Sequence, residues 1–349
     1  MIKHLWWHIL KFYVALGLHM YFRQIRLVGA HYIPRKGPVI FLCNHQNALV
    51  DALLMATVQK RAIHSLTRGD IFKKKFIRWL LSTINMVPVY RIRDGWQSLQ
   101  DNAWTFTYCA DVLHRGGCIF LFPEGNHHWQ RRLRPLSKGF TRILAETLKK
   151  YPTLPLKLVP VGINYTHPQN FGGSVSIYFG LPLEAPPFQE ADFQTWASQV
   201  RSQVAGAMQS LITHVTPQEE YASLVAKLEA HGADFLRPEQ TNRLLEKIKA
   251  HPEAYRAAPV HTPRNTLSKV PVWIFHSLPL VLWHRMKKGI RDHVFLSTAK
   301  IGLGISVFPL FLLLQSAGIA WLTGSALNGG LVAALSVLVL LIYREVKWR

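Results

Sequence analysis

Apolar and polar positions divide the chain into stretches of different character. Short β-rich runs bounded by Gly, Pro or polar residues occur at 38–43 (PVIFLC), 84–90 (INMVPVY), 117–122 (GCIFLF), 156–163 (LKLVPVGI) and 174–179 (SVSIYF). Runs of this length and composition read as strands. Longer helical patterns separate them, at 48–60, 71–83, 96–114 and 138–150. Strands alternating with helices predict an α/β domain with a mixed, largely parallel sheet flanked by helices, here over residues 27–182. The proline-rich LPLEAPPF ends it, and residues 183–260, mostly polar and helix-forming, read as a helical appendage.

The C-terminal third is patterned otherwise. Between Lys300 and Arg344 there is no Asp, Glu, Lys or Arg. IGLGISVFPLFLLLQSAGIAWL and LVAALSVLVLLIY are separated by TGSALNGG. About 20 apolar residues cross a bilayer, so 301–349 is expected to form a transmembrane helical hairpin with a basic tail. Lys287, Lys288, Arg291 and Lys300 precede it and Arg344, Lys347 and Arg349 follow it, whereas the turn near Ser325 to Gly330 is uncharged. Basic flanks face the cytoplasm. The expectation is therefore an integral membrane protein with both flanks, and the α/β domain, on the cytoplasmic face. Residues 261–300 contain VPVWIFHSLPLVLWH, too short to span and interrupted by Pro271 and Pro279, and read as an interfacial or linker segment. Residues 1–26 place Trp6, Trp7, Phe12, Tyr13, Tyr21 and Phe22 among Lys3, Lys11, Arg23 and Arg26, the mark of an amphipathic helix lying at headgroup level. Lys11 interrupts the apolar run, which argues against a signal peptide.

Charge narrows the partners. The 349 residues carry 41 Lys and Arg against 19 Asp and Glu, a formal charge of +22. Such a chain needs an anionic counterpart: nucleic acid, an anionic lipid surface or phosphorylated substrates. No basic–aromatic RNA motif is present, and nucleic acid leaves the hairpin unexplained, so anionic membrane lipids are the expected partner. Cys43, Cys109 and Cys118 form no C-x-x-C, which excludes a disulfide scaffold and suits a reducing compartment.

The candidate chemistry sits at strand ends, where open α/β sheets bind ligands. There is no phosphate-binding G-x-x-x-x-G-K-[ST], no G-x-S-x-G and no H-E-x-x-H. No metal site is expected. Directly after PVIFLC comes NHQNALVD, with His45 and Asp51 six apart. On one helix that spacing is about 600° and separates the two side chains, so His45 must lie in the strand-to-helix loop with Asp51 reaching back from the first turns. An imidazole oriented by a carboxylate is a general base. After GCIF comes LFPEGNHH, where Pro123 and Gly125 shape a tight turn and Glu124 can accept from a hydroxyl. Arg131, Arg132, Arg134 and Lys138 follow, and Arg91 and Arg93 close MVPVYRIR. Arginines at strand ends suit a phosphate.

Taken in order, NH-x5-D, P-V-Y-R, F-P-E-G and V-P-V-G-I-N-Y resemble the four blocks of the glycerolipid acyltransferases, the lysophosphatidate and glycerol-phosphate acyltransferase family. The resemblance covers residues 27–182 and implies His45 as general base and Asp51 as its orienter. It further implies Arg91 on the acceptor phosphate, Glu124 and Gly125 at the acceptor, and the fourth block shaping the acyl-donor side. The commonest spacing of the family is H-x4-D; this chain resembles the subgroup carrying N-H-x-N-[AS]-x-x-D. Asn126 and His127 replace the usual Thr and Arg after F-P-E-G, leaving Arg131, Arg132, Arg134 or Lys138 to supply the phosphate contact. The implied activity moves a fatty acyl group from an acyl thioester, on coenzyme A or acyl carrier protein and with no resident cofactor, to a glycerol-phosphate lipid acceptor. The leading acceptor is 1-acyl-glycerol 3-phosphate. Glycerol 3-phosphate, another lyso-lipid, or a catalytically silent membrane-surface binder of the same fold are the alternatives.

Overall fold

The computed structural model describes residues 2–90, 97–188, 190–256 and 269–346. In chain order the first half contains α1 (Ile2–Tyr21), β1 (Gln24–Val28), β2 (Val39–Cys43), α2 (Ala48–Val58), β3 (Ile63–Arg68), α3 (Lys75–Thr83), β4 (Met86–Val89) and α4 (Gln97–His114). Then come β5 (Cys118–Leu121), α5 (Gly139–Lys150), β6 (Lys157–Tyr165), β7 (Ser174–Phe179) and β8 (Leu183–Glu184). Six helices end the chain: α6 (Phe193–Gln209), α7 (Tyr221–Ala230), α8 (Pro238–Ala250), α9 (Lys269–Lys287), α10 (Phe295–Thr323) and α11 (Ala326–Val346).

All eight strands join one sheet in the order β1-β7-β6-β2-β5-β3-β4, with β8 also on β6. Every pairing is parallel except those of β6 with β7 and β8. This is the α/β class expected. Successive residues of β2 serve opposite faces. Val39, Phe41 and Cys43 pack with α1, α2 and Ile301 of α10, whereas Ile40 and Leu42 pack with α4, α5 and α6. A strand covered on both faces shows no alternation, hence the unbroken VIFLC.

Two parts differ from expectation. α6 is no appendage: Trp196, Val200, Val204 and Met208 fill the core beneath the sheet. Only α7 and α8 build a separate small core, around Leu224, Leu228, Leu245 and Ile248. The hairpin turn is also shorter than TGSALNGG suggests. Gly324, at φ +65°, ends α10, and Ala326 already opens α11. Gly329 is helical and sits where a Cβ would lie 2.3 Å from the Ser316 carbonyl oxygen, so its bare backbone lets the two helices close.

α10 and α11 are long and apolar enough to cross a membrane. Leu313, Leu314 and Trp321 are 68, 70 and 83% exposed, a degree that a buried helix of a soluble core does not show. The root of α10 is different: Leu296, Ser297 and Ile301 are buried against the domain. The far end of α11 is also fixed, since Arg344 donates to the His19 carbonyl at 2.7 Å and Arg23 pairs with Glu345 at 3.2 Å. The expected interfacial segment is α9, kinked at His276 and laid against the hairpin.

Two prolines inside these helices each leave the carbonyl four residues earlier without its N–H. Another helix supplies the donor in both cases. Pro279 frees the Phe275 carbonyl, which accepts from Gln315 Nε2 at 3.3 Å. Pro309 frees the Ile305 carbonyl, which accepts from the Tyr13 hydroxyl of α1. Away from water an unmet carbonyl is costly, so these bonds bind α9, α10 and α1 into one body. Ser336 of α11 joins them by donating to Gln315 Oε1 at 2.7 Å.

Candidate active site

The site begins where β2 ends. The side-chain amide of Asn44 behaves like one more rung of the ladder to β6: Nδ2 donates to the Ile163 carbonyl at 3.0 Å, and Oδ1 accepts from the Ile163 N–H at 2.7 Å. His45 follows, outside the sheet, and is gripped by the F-P-E-G loop. Its N–H donates to Glu124 Oε1 at 3.3 Å, its carbonyl accepts from the His128 N–H at 2.9 Å, and its ring stacks on Phe122 at 3.6 Å.

His45 Nδ1 lies 2.9 Å from Asp51 Oδ2. As the spacing required, His45 is in the loop and Asp51 is in the first turn of α2. Ala48 takes a left-handed φ of +42° at the loop-to-helix junction, which absorbs the five-residue spacer and turns Asp51 back toward the loop. Asp51 is fully buried, and each of its oxygens is engaged. Oδ2 also accepts from the Asn47 N–H at 2.7 Å, and Oδ1 accepts from the Tyr165 hydroxyl at 2.5 Å. A carboxylate on Nδ1 fixes the tautomer that leaves the Nε2 lone pair open. Burial pushes the imidazole below its ordinary range, with His127 and Arg134 adding to the effect against the opposing pull of Asp51. A neutral imidazole with one free basic nitrogen can take a proton from a hydroxyl.

Gly125 turns the second loop at φ +77°, a conformation that side chains resist. Glu124 beside it is paired with Arg134 Nε at 2.7 Å, and burial lifts its carboxyl to about 7 against the pull of Arg134. Arg134 also donates to the side chain and carbonyl of Asn126, so it braces the loop. His45, Glu124, Asn126, His127, Ser137 and Lys138 line a cavity of about 920 Å³. Leu49, Leu66, Met86, Phe106, Phe120 and Ile143 also line it, as do Arg68, Asp70 and Arg142. The lining combines a base and hydrogen-bonding groups with surface for an apolar chain.

Of the residues singled out in the sequence, His45, Glu124, Gly125 and Lys138 line this cavity, and Asp51 lies directly behind His45. Lys138 also donates to Gln194 Oε1 at 3.0 Å. Arg134 stands behind Glu124. Arg131 is a correction. It is buried, donating to the Tyr165 and Thr166 carbonyls at 2.5 and 2.8 Å and stacked over Phe235, so it supports the fold and does not line the cavity. Arg91 lies outside the described residues. Its neighbour Tyr90 lines the cavity, its backbone clamped by the Asn102 amide at 2.9 and 2.7 Å.

Sequence reasoning missed three participants. Tyr165, the last residue of V-P-V-G-I-N-Y, reaches Asp51, whereas that block was expected on the donor side. A tyrosine ending an apolar strand was the available signal. His127 points its edge at the His45 ring at 5.6 Å, with its Nε2 3.2 Å from Asp292 Oδ2. Asp292 precedes α10, and Phe295 and Thr298 of α10 add a wall to the cavity. No local motif announces a residue 165 positions away from its partner.

The acyltransferase family model matches residues 24–164. A glycerol-3-phosphate O-acyltransferase of Saccharomyces cerevisiae is 25% identical over 252 residues, covering 48% of this chain and 33% of its own. A chloroplastic 1-acyl-sn-glycerol-3-phosphate acyltransferase of Brassica napus is 26% identical over 155 residues, covering 44% of this chain and 42% of its own. The chain thus spans well under half the length of these curated relatives. Among solved structures, the 1-acyl-sn-glycerophosphate acyltransferase PlsC of Thermotoga maritima aligns with a TM-score of 0.37 at 16% identity, over 54% of this chain and 73% of that one. Residues 24–164, which carry the His45–Asp51 pair and the Glu124 loop, are an acyltransferase-family domain.

Proposed function

We propose that the protein is a membrane-bound acyltransferase that moves a fatty acyl group from an acyl thioester to the hydroxyl of a glycerol-phosphate lipid, with 1-acyl-glycerol 3-phosphate as the leading acceptor. The observation that carries this reading is the His45–Asp51 pair, with His45 lining a cavity that combines polar groups with apolar surface. His45 takes the hydroxyl proton as the acceptor oxygen attacks the thioester carbonyl. The C–O bond forms and the C–S bond breaks, and the departing thiolate takes the proton from the His45 imidazolium and leaves as the thiol, with no acyl-enzyme required because the donor is already activated. Asp51 holds the tautomer and the imidazolium that forms. Glu124, Gly125, Lys138 and Arg91 serve the acceptor, with Arg134 supporting them through Glu124.

The relatives named for glycerol 3-phosphate and for 1-acyl-sn-glycerol 3-phosphate support both acceptors. Purified protein with a labelled acyl donor, offered glycerol 3-phosphate, 1-acyl-glycerol 3-phosphate and a neutral lyso-lipid in turn, tests the reading. Product from a phosphate-bearing acceptor is expected. No product from any of the three would favour a silent membrane-surface binder. Arg91→Ala is expected to raise KM for the phosphate-bearing acceptor, since charge-assisted contacts outweigh neutral ones. An equal effect on a neutral acceptor would place Arg91 elsewhere.

A further inference from the structure

No residue of α3 is buried. A nine-residue helix gains little from its own hydrogen bonds and ordinarily relies on an apolar face packed on something. Ile77, Leu80 and Leu81 are half-buried, but among the described residues nothing covers the face that carries Phe76 and Trp79. Phe76 and Trp79 are 66 and 60% exposed, with ring centres 6.0 Å apart, and Ile71 just before the helix is 43% exposed. Lys73, Lys74, Lys75 and Arg78 are exposed around them. From residue 71 to residue 93 there is no Asp or Glu. Asp70, the nearest acid before this stretch, is held by Arg68 at 2.6 Å.

The position of α3 identifies what covers it. Trp6 Nε1 of α1 donates to Thr83 Oγ1 at the end of α3 at 3.3 Å. α1 exposes Leu5, Ile9, Phe12 and Leu16, and its Tyr13 bonds to the Ile305 carbonyl in the apolar part of α10. The uncovered face of α3 therefore continues the apolar surface of α1 and the hairpin. Ile71, Asp70 and Arg68 line the cavity, as do Phe295 and Thr298 from the root of α10.

We propose that residues 69–83 are a lipid-seating platform for an anionic bilayer. Ile71, Phe76 and Trp79 sit at the headgroup–acyl boundary, and Lys73, Lys74, Lys75 and Arg78 lie on the lipid phosphates, as in other interfacial basic–aromatic helices. The platform seats the cavity wall near Ile71 against the membrane, as α10 seats the wall near Phe295. This inference goes beyond the acyl-transfer reading and does not depend on it.

The test uses the full chain reconstituted in vesicles, with Phe76→Cys carrying a polarity-sensitive fluorophore. Cys43, Cys109 and Cys118 are buried, so the label goes to one position. In vesicles containing phosphatidylglycerol and a headgroup-level spin-labelled lipid, a blue shift and quenching are expected at position 76. A Leu313→Cys label on α10 reports the bilayer interior, and a Ser210→Cys label on the exposed end of α6 should stay unquenched. Replacing phosphatidylglycerol by phosphatidylcholine, or Lys73, Lys74 and Lys75 by Glu, should remove most of the signal at 76 while leaving that at 313. A label at 76 that remains water-exposed while that at 313 is blue-shifted overturns the proposal and leaves the face to a protein partner. A signal at 76 indifferent to lipid charge overturns its assignment to anionic lipid.

Discussion

At the scale of single residues the site rests on a buried carboxylate with no spare capacity. Asp51 serves His45, the Asn47 N–H and the Tyr165 hydroxyl together, so its geometry cannot relax without breaking one of them. His45→Ala should lower turnover about 10²–10⁴-fold, the usual worth of a general base, with the fold retained on thermal melting. The pH profile follows from the same geometry. The working form is the neutral imidazole, and burial sets its pKa below 6.5. The limb set by His45 should therefore lie below that of a free imidazole, separate from any limb set by Glu124, whose carboxyl is lifted to about 7; kcat/KM across pH 5–8 for the parent and for Glu124→Gln resolves the two. Tyr165→Phe separates positioning from catalysis. Without the hydroxyl, Asp51 keeps its charge less shared and favours the imidazolium more, so the acid limb should move upward with KM for donor and acceptor little changed. A lone loss of stability with an unmoved limb would make Tyr165 merely structural. His45, Asp51 and Glu124 were legible because each stands in a compact motif at the end of an apolar run. Tyr165, His127 and Asp292 were not, because their partners lie 114, 82 and 165 positions away (the last two sharing one contact cluster).

At the scale of elements, most of the strands read from pattern are those the fold covers on two sides, the half-exposed edge strand β4 being the exception. β2, β5, β6 and β7 are buried on both faces and stand out as apolar runs. β3, IHSLTR, does not stand out because Ser65, Thr67 and Arg68 line the cavity and are polar for that reason. β1, QIRLV, is an edge strand with a half-exposed face. α6 looked like an appendage because its long solvent-facing side dominates the composition, although its buried stripe is part of the main core. The hairpin helices α10 and α11 were legible by absence of charge, but their docking was not, since it depends on carbonyls released by prolines. That docking can be tested at one atom. Tyr13→Phe removes the donor to the Ile305 carbonyl and should cost about 1–3 kcal/mol, the penalty of an unmet buried polar group. The readout is a lower melting temperature of the detergent-solubilised protein. Pairing it with Pro309→Ala, which returns an N–H to that carbonyl, should recover the loss; a Tyr13→Phe protein as stable as the parent would show that the bond carries nothing.

At the scale of the whole molecule the hairpin is more than a tether. Ser297 donates to Asn47 in the loop beside His45, Lys300 donates to the Gln169 carbonyl at 2.7 Å, and Arg344 closes the other end on α1. Phe295 and Thr298 belong to the cavity wall. The His45 loop and the hairpin are thus joined by direct contacts, and beyond Ile301 no residue of α10 is buried. On the proposal that α10 and α11 cross a bilayer, the cavity at the root of α10 is expected to lie near the lipid headgroups, within reach of a lipid acceptor. As spans, α10 and α11, joined by the two residues Gly324 and Ser325, would return the chain to the side it left. With Lys287, Lys288 and Arg291 before the hairpin and Arg344, Lys347 and Arg349 after it, the positive-inside rule predicts a cytoplasmic placement for both ends. In right-side-out cells or vesicles, a cysteine at the exposed Asn328 should react with an impermeant maleimide added outside. One at Ser210 should react only after permeabilisation. The full chain should also stay in the pellet through alkaline carbonate, as spanning helices do and interfacial ones do not. Labelling of both positions from outside without permeabilisation would contradict the cytoplasmic placement. Protection of Asn328 together with release by carbonate would mean that α10 and α11 cover a protein surface instead of crossing lipid.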